Sequence, residues 1–166
     1  MNRTALALVS LVALGGCPGN KAGPTPMNKI TSGDLAPPVS PVVSSDILAR
    51  EPLANTATVK HILISWKDLA DAFGGRIDPR AEKRTKAEAE ASVRSLLQQL
   101  GAGTDFDTLM KANSEDTGSA ASGTSFTVTP DAKLVIEFRQ LSLRLGVGEV
   151  GVCQSDFGFH IIKRLS

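Results

Sequence analysis

The fold of the chain is constrained most by residues 146–165, GVGEVGVCQSDFGFHIIKRL. A glycine-bounded turn leads to a short strand, a Ser-Asp-Phe-Gly turn and a final strand that carries His160. The only other histidine, His61, lies in the apolar stretch KHILIS at residues 60–65, which is typical of a strand. Because the two histidines lie in apolar strands at opposite ends of one domain, we interpret them as two parts of one site.

Length, charge and cysteine usage restrict the class of protein. The 166 residues suggest one folded domain with extensions. The net charge of +1 gives no indication of nucleic-acid binding. The two cysteines, Cys17 and Cys153, form no CxxC pair and have no metal-ligand spacing. A disulfide between them is an alternative in an exported protein; otherwise Cys153 is a free thiol to which we assign no role.

Residues 1–16 have the features of an export signal. Arg3 gives a positive start, and the apolar run at residues 5–14 is too short to cross a hydrocarbon core of about 30 Å as a helix. The ending Leu-Gly-Gly-Cys resembles a bacterial lipobox, which implies cleavage before Cys17 and lipidation of that residue. Several acyl chains would hold the protein on a membrane of the bacterial cell envelope, on the periplasmic side in a Gram-negative cell. An ordinary signal peptide that contains a cysteine by chance is the alternative.

Residues 17–55 are typical of a flexible tether. Six of the nine prolines lie between Pro18 and Pro41, and no helical or strand period persists. This composition favours an extended, mostly disordered linker, with a short helix near residues 46–50 as the one exception. We therefore predict that the folded domain occupies residues 56–166.

The first part of that domain predicts a central strand followed by a long connection. Both faces of the strand over residues 59–64 are largely apolar, which indicates burial on both sides of a sheet. The connection over residues 66–84 contains Gly74, Gly75 and Pro79, which argue against continuous structure. We predict a solvated loop there, with a binding loop as the alternative.

Three helices and three further strands complete the predicted domain. Thr85 and Glu88 form a capping box that begins the first helix, and Asp105 caps a second, shorter helix. A polar loop spans residues 113–125, a brief strand follows at 126–128, and Thr129 with Pro130 begins the third helix. With the two closing strands the order is β-α-α-β-α-β-β. This order predicts an α+β fold with a small, mainly antiparallel four-stranded sheet flanked by helices.

Six segments, in this order and at this spacing, resemble the parvulin-type (PpiC, rotamase) peptidyl-prolyl isomerases. The resemblance covers about residues 59–165 and includes the family's opening His-Ile-Leu strand and its closing Gly-x-His-Ile-Ile strand. The segments are HILI at 61–64, RTKAEA at 84–89, TDFDTL at 104–109, NSED at 113–116, GEV at 148–150 and FGFHIIK at 157–163.

This resemblance implies a parvulin-like fold, peptidyl-prolyl isomerase activity without a cofactor, and a set of site residues. The paired histidines of the family fall on His61 and His160, and its Cys or Asp position falls on Asp116. The implied partners are X-Pro segments of unfolded or folding exported proteins, and the implied state is a monomer. The residues expected to bind the substrate proline are Leu134, Phe138, Phe126 and Phe157.

The chain departs from the family pattern at three places. Residues 122–126, SGTSF, replace a Gly-Gly-Asp-Leu-Gly stretch, so that Phe126 substitutes for an apolar wall residue lost at Ser125. Phe157 stands where the family often has a hydroxyl, and Ala70 and Asp71 lie near the place where phosphate-specific members are basic. A non-catalytic peptide-binding or holdase module is therefore a second hypothesis. A metal site formed by His61, His160 and Asp116 is a third.

Overall fold

The computed structural model of the protein describes residues 39–166. The predicted signal peptide, Cys17 and most of the predicted tether lie outside these residues. Within residues 39–166, no helix has the length and apolar character that crossing a membrane requires. The elements are α1 (Ser45–Leu48), β1 (Ala57–Ile64), a 3₁₀ helix (Lys67–Phe73), α2 (Pro79–Glu82), α3 (Lys86–Gly101), α4 (Phe106–Asn113), α5 (Thr117–Ser122), β2 (Phe126–Val128), α6 (Ile136–Arg144), β3 (Val150–Ser155) and β4 (Gly158–Arg164).

Four antiparallel strands form one sheet in the order β2-β1-β4-β3. The predicted α+β fold with its mainly antiparallel sheet is therefore confirmed. Strand β1 lies in the middle of the sheet as predicted, and β4, which is also largely buried, lies beside it. Leu63 pairs with His160 and His61 pairs with Ile162, so the strands from the two ends of the domain are direct neighbours.

The two faces of the sheet pack against different helices. On one face, Ile62 and Phe159 join a core with residues of α3 and α4. On the other face, Val59 and Ile162 join a second core with residues of α6 and α1. Side-chain caps begin both helices of the first core: Thr85 and Glu88 make the predicted capping box of α3. The Thr108 N–H donates to the Asp105 carboxylate over 2.8 Å and begins α4.

Three predictions for the connecting segments are wrong in detail. The stretch 66–84 is not a plain loop, because a 3₁₀ helix and α2 form within it, and Asp78 caps α2 with Pro79 at its first position. The polar stretch 113–125 contains α5. The third predicted helix begins at Ile136, since the Thr129 hydroxyl donates to Asp131 over 2.7 Å and does not cap a helix.

Residues 39–55 pack against the domain, so the predicted boundary at residue 56 is too late. The Ser44 N–H donates to the Val152 carbonyl over 2.9 Å, and the Val152 N–H donates to the Ser44 hydroxyl over 3.0 Å, which covers part of the edge strand β3. The buried Ile47, in the short helix predicted near residues 46–50, enters the core beside α6. A Cβ at Gly151 would lie 3.2 Å from the Ile47 Cδ1 atom, so this glycine leaves space for it.

Candidate active site

Two histidines form the centre of the candidate site. Because Leu63 pairs with His160, the side chain of His61, two residues earlier on β1, lies diagonally across from His160 on the same face of the sheet. The two Nδ1 atoms are 3.2 Å apart, and the rings stack with their centroids 5.4 Å apart. Both side chains are buried. The structure thus brings the two predicted site histidines into direct contact.

Asp116 reaches His61 from the loop that follows α4. Its carboxylate caps α5 and accepts hydrogen bonds from His61 Nε2 over 2.9 Å and from the Ser119 hydroxyl over 2.6 Å. The preceding residue, Glu115, is hydrogen-bonded to β1, because its N–H donates to the Leu63 carbonyl over 2.9 Å. The hydrogen bond from His61 holds the pKa of Asp116 well below its usual range, with Ser119 acting in the same direction against burial. Asp116 is therefore a carboxylate at neutral pH.

Ser155 completes the site on the other side of the histidines. Its hydroxyl lies 2.8 Å from His160 Nε2 and accepts a hydrogen bond from the Phe157 N–H over 3.1 Å. Ser155 was not predicted as a site residue. The family pattern places a hydroxyl three residues before His160, and Phe157 stands there. The position of Ser155 in the predicted hairpin could have identified it, because Ser155 pairs with Gly158 in a tight turn and therefore lies beside the His160 ring.

The hydrogen bonds assign one proton arrangement to the neutral site. Since Asp116 is a carboxylate, His61 Nε2 must carry a proton and donate to it. His61 Nδ1 then accepts from His160 Nδ1–H, and His160 Nε2 accepts from the Ser155 hydroxyl. Four side chains therefore form a single directed chain, from Ser155 through His160 and His61 to Asp116, in which every ring nitrogen has a partner.

An apolar pocket of about 230 Å³ opens beside this chain of hydrogen bonds. Phe138, on α6, and Phe126, on β2, each contact the edge or face of the His61 ring, with centroid distances of 5.2 and 5.3 Å. Phe157 is held in place by a contact with Phe73 of the 3₁₀ helix, with centroids 5.4 Å apart. All seven predicted site residues of the domain line the pocket, together with two that were not predicted. They are His61, Asp116, Phe126, Leu134, Phe138, Phe157 and His160, with Lys133 and Val135 as the additions.

The hypothesis of a metal site does not fit this geometry. His61 uses one ring nitrogen on His160 and the other on Asp116, so the three side chains form a line and not a converging set. Among residues 39–166, no group of three or more His, Cys, Asp or Glu side chains is arranged to hold a metal ion. Cys153 is buried and has no disulfide partner within residues 39–166, and burial raises the pKa of its thiol.

The stability of the protein is expected to fall in acid because of His160. Burial, with a smaller contribution from His61, lowers the pKa of His160 from 6.5 to about 3. Below pH 6.5 the unfolded chain therefore binds a proton that the folded chain does not bind. Between pH 6 and 4.5 this difference lowers the free energy of unfolding by about 1.4 kcal/mol per pH unit.

Urea unfolding at several pH values measures this slope, and the variant His160→Asn is the control because it cannot titrate there. A flat profile for the wild-type protein, or an equal slope in His160→Asn, would contradict the assignment. Asp116 adds to the loss of stability only below about pH 3.8, since its pKa in the unfolded chain is near that value.

Both the sequence and the fold of the domain have counterparts among known proteins. A sequence model of the PPIC-type PPIase domain matches residues 45–165. The chain belongs to this family. The match begins within the packed segment 39–55 and includes every predicted site residue of the domain.

Similar proteins differ in how much of their length this chain covers. Foldase protein PrsA of Geobacillus kaustophilus is 30% identical over 112 residues, which are 67% of this chain and 40% of PrsA. Chaperone SurA of Pseudomonas aeruginosa is 37% identical over 86 residues, which are 51% of this chain and 21% of SurA. The structure of peptidyl-prolyl isomerase ESS1 from Candida albicans has the same fold, with a TM-score of 0.57 and 20% identity, covering 76% of this chain and 67% of that one. The chain thus spans less than half the length of these two bacterial relatives.

Proposed function

We propose that this protein is a peptidyl-prolyl cis-trans isomerase that acts on X-Pro segments of folding exported proteins. The main support for this proposal is that His61 is hydrogen-bonded to both His160 and Asp116 and that all three side chains line a small apolar pocket. Isomerisation rotates a C–N bond against a barrier of about 18–20 kcal/mol that arises from amide resonance. No bond is made or broken, so the site needs neither a nucleophile nor a cofactor.

The pocket supplies the binding part of this function. Phe126 and Phe138 face each other edge to face with their centroids 5.9 Å apart, and Leu134 lies beside them. A proline ring is small and apolar, so these side chains can hold it while they exclude water from the imide. Seating the ring fixes one side of the C–N bond, and the other side can then rotate relative to it.

Asp116 supplies the electrostatic part. Its side chain is 33% exposed, so its carboxylate faces the pocket while it accepts bonds from His61 and Ser119. A planar amide gains stability by placing negative charge on its oxygen, and a carboxylate close to that oxygen disfavours this charge. The twisted transition state carries less negative charge on this oxygen and is therefore favoured relative to the planar ground states. The hydrogen bonds from His61 and Ser119 hold the Asp116 carboxylate in place.

A protease-free assay with the full-length protein tests this proposal. An X-Pro peptide is transferred from a solvent that enriches the cis form, and its return to equilibrium is followed by absorbance. Without a catalyst this takes tens to hundreds of seconds. The expected result is a rate that rises linearly with protein concentration. Peptide binding without any increase in rate would overturn the isomerase proposal and favour the non-catalytic binding module.

Location in the cell envelope is the second part of the proposal. It is supported by the lipobox-like ending at Cys17 and by relatives named as a foldase and as a chaperone. Expression of the full-length chain in a bacterial host is expected to give a membrane-bound product whose Cys17 carries acyl chains, as detected by mass spectrometry. The variant Cys17→Ser should be released from the membrane fraction. An unmodified Cys17 in the wild-type product would contradict lipid anchoring.

A further inference from the structure

Ser65, which directly follows β1, uses all three of its polar groups on different parts of the domain. Its N–H donates to Glu115 Oε2 over 2.6 Å, and its carbonyl accepts from Arg84 Nη1 over 3.0 Å. Its hydroxyl donates to the Phe157 carbonyl over 2.6 Å. Ser65 is completely buried and does not line the pocket. It therefore connects three segments that are far apart in sequence.

The first of these connections leads to Asp116. The Glu115 side chain is only 1% exposed and is paired with Arg84 Nη1 over 2.5 Å, so the charge is compensated inside the protein. The same glutamate accepts the Ser65 N–H and donates its own N–H to the Leu63 carbonyl. Because Asp116 is the next residue, the end of β1 fixes the backbone from which the Asp116 carboxylate reaches His61.

The second connection leads to the opposite end of the hydrogen-bonded chain. The Ser65 hydroxyl holds the Phe157 carbonyl, and the Phe157 N–H donates to the Ser155 hydroxyl, which in turn meets His160. This approach requires a glycine: Gly158 has φ of 130°, and a Cβ there would lie 2.5 Å from the Ile64 carbonyl oxygen. The close contact between the end of β1 and this turn therefore depends on a glycine at position 158.

We propose that Ser65 is a positioning residue that sets the geometry of both ends of the site at once. One buried serine ties the segment that carries Asp116 and the turn that carries Ser155 and Phe157 to the same point of β1. Its effect on turnover rests on the proposed isomerase function, but its effect on the histidine environment does not. Loss of the hydroxyl frees the turn, so Ser155 and the pocket wall at Phe157 lose their fixed position relative to His160.

The variant Ser65→Ala in the full-length protein tests this role. A displacement of 1 Å at a catalytic group can cost about 100-fold in rate, and a loosened turn should cost about tenfold in kcat/KM. The ¹⁵N resonance of His160 Nε2 is expected to shift, because its hydrogen bond to Ser155 is weakened. The matched control is Ser142→Ala on α6, since Ser142 is completely buried and its hydroxyl has no hydrogen-bond partner within residues 39–166.

Two readouts separate this inference from the proposed function. A wild-type protein without isomerase activity would contradict the function, and the His160 resonance would then decide the role of Ser65. An unshifted resonance in folded Ser65→Ala, or an equal shift in Ser142→Ala, overturns the positioning role. Should Ser65→Ala fail to fold, Ser65→Cys replaces it, because a thiol fills the space but is a weak donor. The same shift of the His160 resonance is expected there.

Discussion

Asp116→Asn is expected to lower kcat/KM about 100-fold, the size of effect typical for loss of one preorganised electrostatic group. The asparagine oxygen can still accept the His61 Nε2–H bond of 2.9 Å and the Ser119 bond of 2.6 Å, so the fold and the position of the side chain persist. The change removes the negative charge that faces the pocket and, besides it, only the long 3.4 Å bond that the other carboxylate oxygen accepts from the Ser119 N–H. The change therefore isolates the charge from the shape of the site, and the protease-free assay measures it.

The matched control for Asp116→Asn is Asp46→Asn. Asp46 lies on α1, its side chain is 77% exposed, and it does not line the pocket. This variant should retain wild-type kcat/KM. Full activity in Asp116→Asn would remove the carboxylate from the mechanism and leave the pocket as the source of any catalysis.

Arg84→Met is expected to lower the free energy of unfolding by about 3–5 kcal/mol, the cost of leaving a buried charge without its partner. The Arg84 side chain is 16% exposed and the Glu115 side chain only 1%, so water cannot replace the guanidinium. Urea unfolding of the wild-type protein and the variant measures the difference. A loss below about 1 kcal/mol would contradict the buried pairing and is the value typical of an exposed ion pair.

The double variant Arg84→Met/Glu115→Gln is the control for this measurement. With the charge of Glu115 also removed, a neutral amide oxygen still accepts the Ser65 N–H. The double variant should therefore be more stable than Arg84→Met alone. The two single variants together with the double variant form a cycle that gives the coupling energy of the pair.

The sheet could be predicted from sequence because the patterns that encode it are local. Short runs that are apolar on both faces specify β1 and β4, and the side chains of Thr85 and Asp105 begin two helices in the segments where they stand. The start of α6 could not be predicted in this way. Thr129 has the right side chain for a cap, but its hydroxyl is taken by Asp131, a competition that depends on local geometry. The proline-rich composition before residue 56 also gave no indication that Ile47 is buried, and its contact with Gly151, where a Cβ would lie 3.2 Å from Ile47 Cδ1, exists only in the folded arrangement.

The candidate site was partly visible in the sequence for a different reason. His61, Asp116 and His160 could be placed through the family resemblance, because chemically distinctive residues stand at recognisable positions. Ser155, Ser119 and Ser65 gave no such signal, since serine is common in turns and loops of every kind. Their roles depend on which carbonyl or ring nitrogen lies within 3 Å, and only the folded arrangement determines this.

The most direct test compares two substitutions at neighbouring positions in the protease-free isomerisation assay. Leu134 lines the pocket, whereas Ile136, at the start of α6, is 53% exposed and does not line it. If the pocket beside His61 and His160 is the isomerase site, Leu134→Arg should reduce the rate to the uncatalysed level. Ile136→Arg should remain within about twofold of wild type, because it adds the same charge outside the pocket. Undiminished catalysis by a folded Leu134→Arg protein would show that the reaction does not take place there.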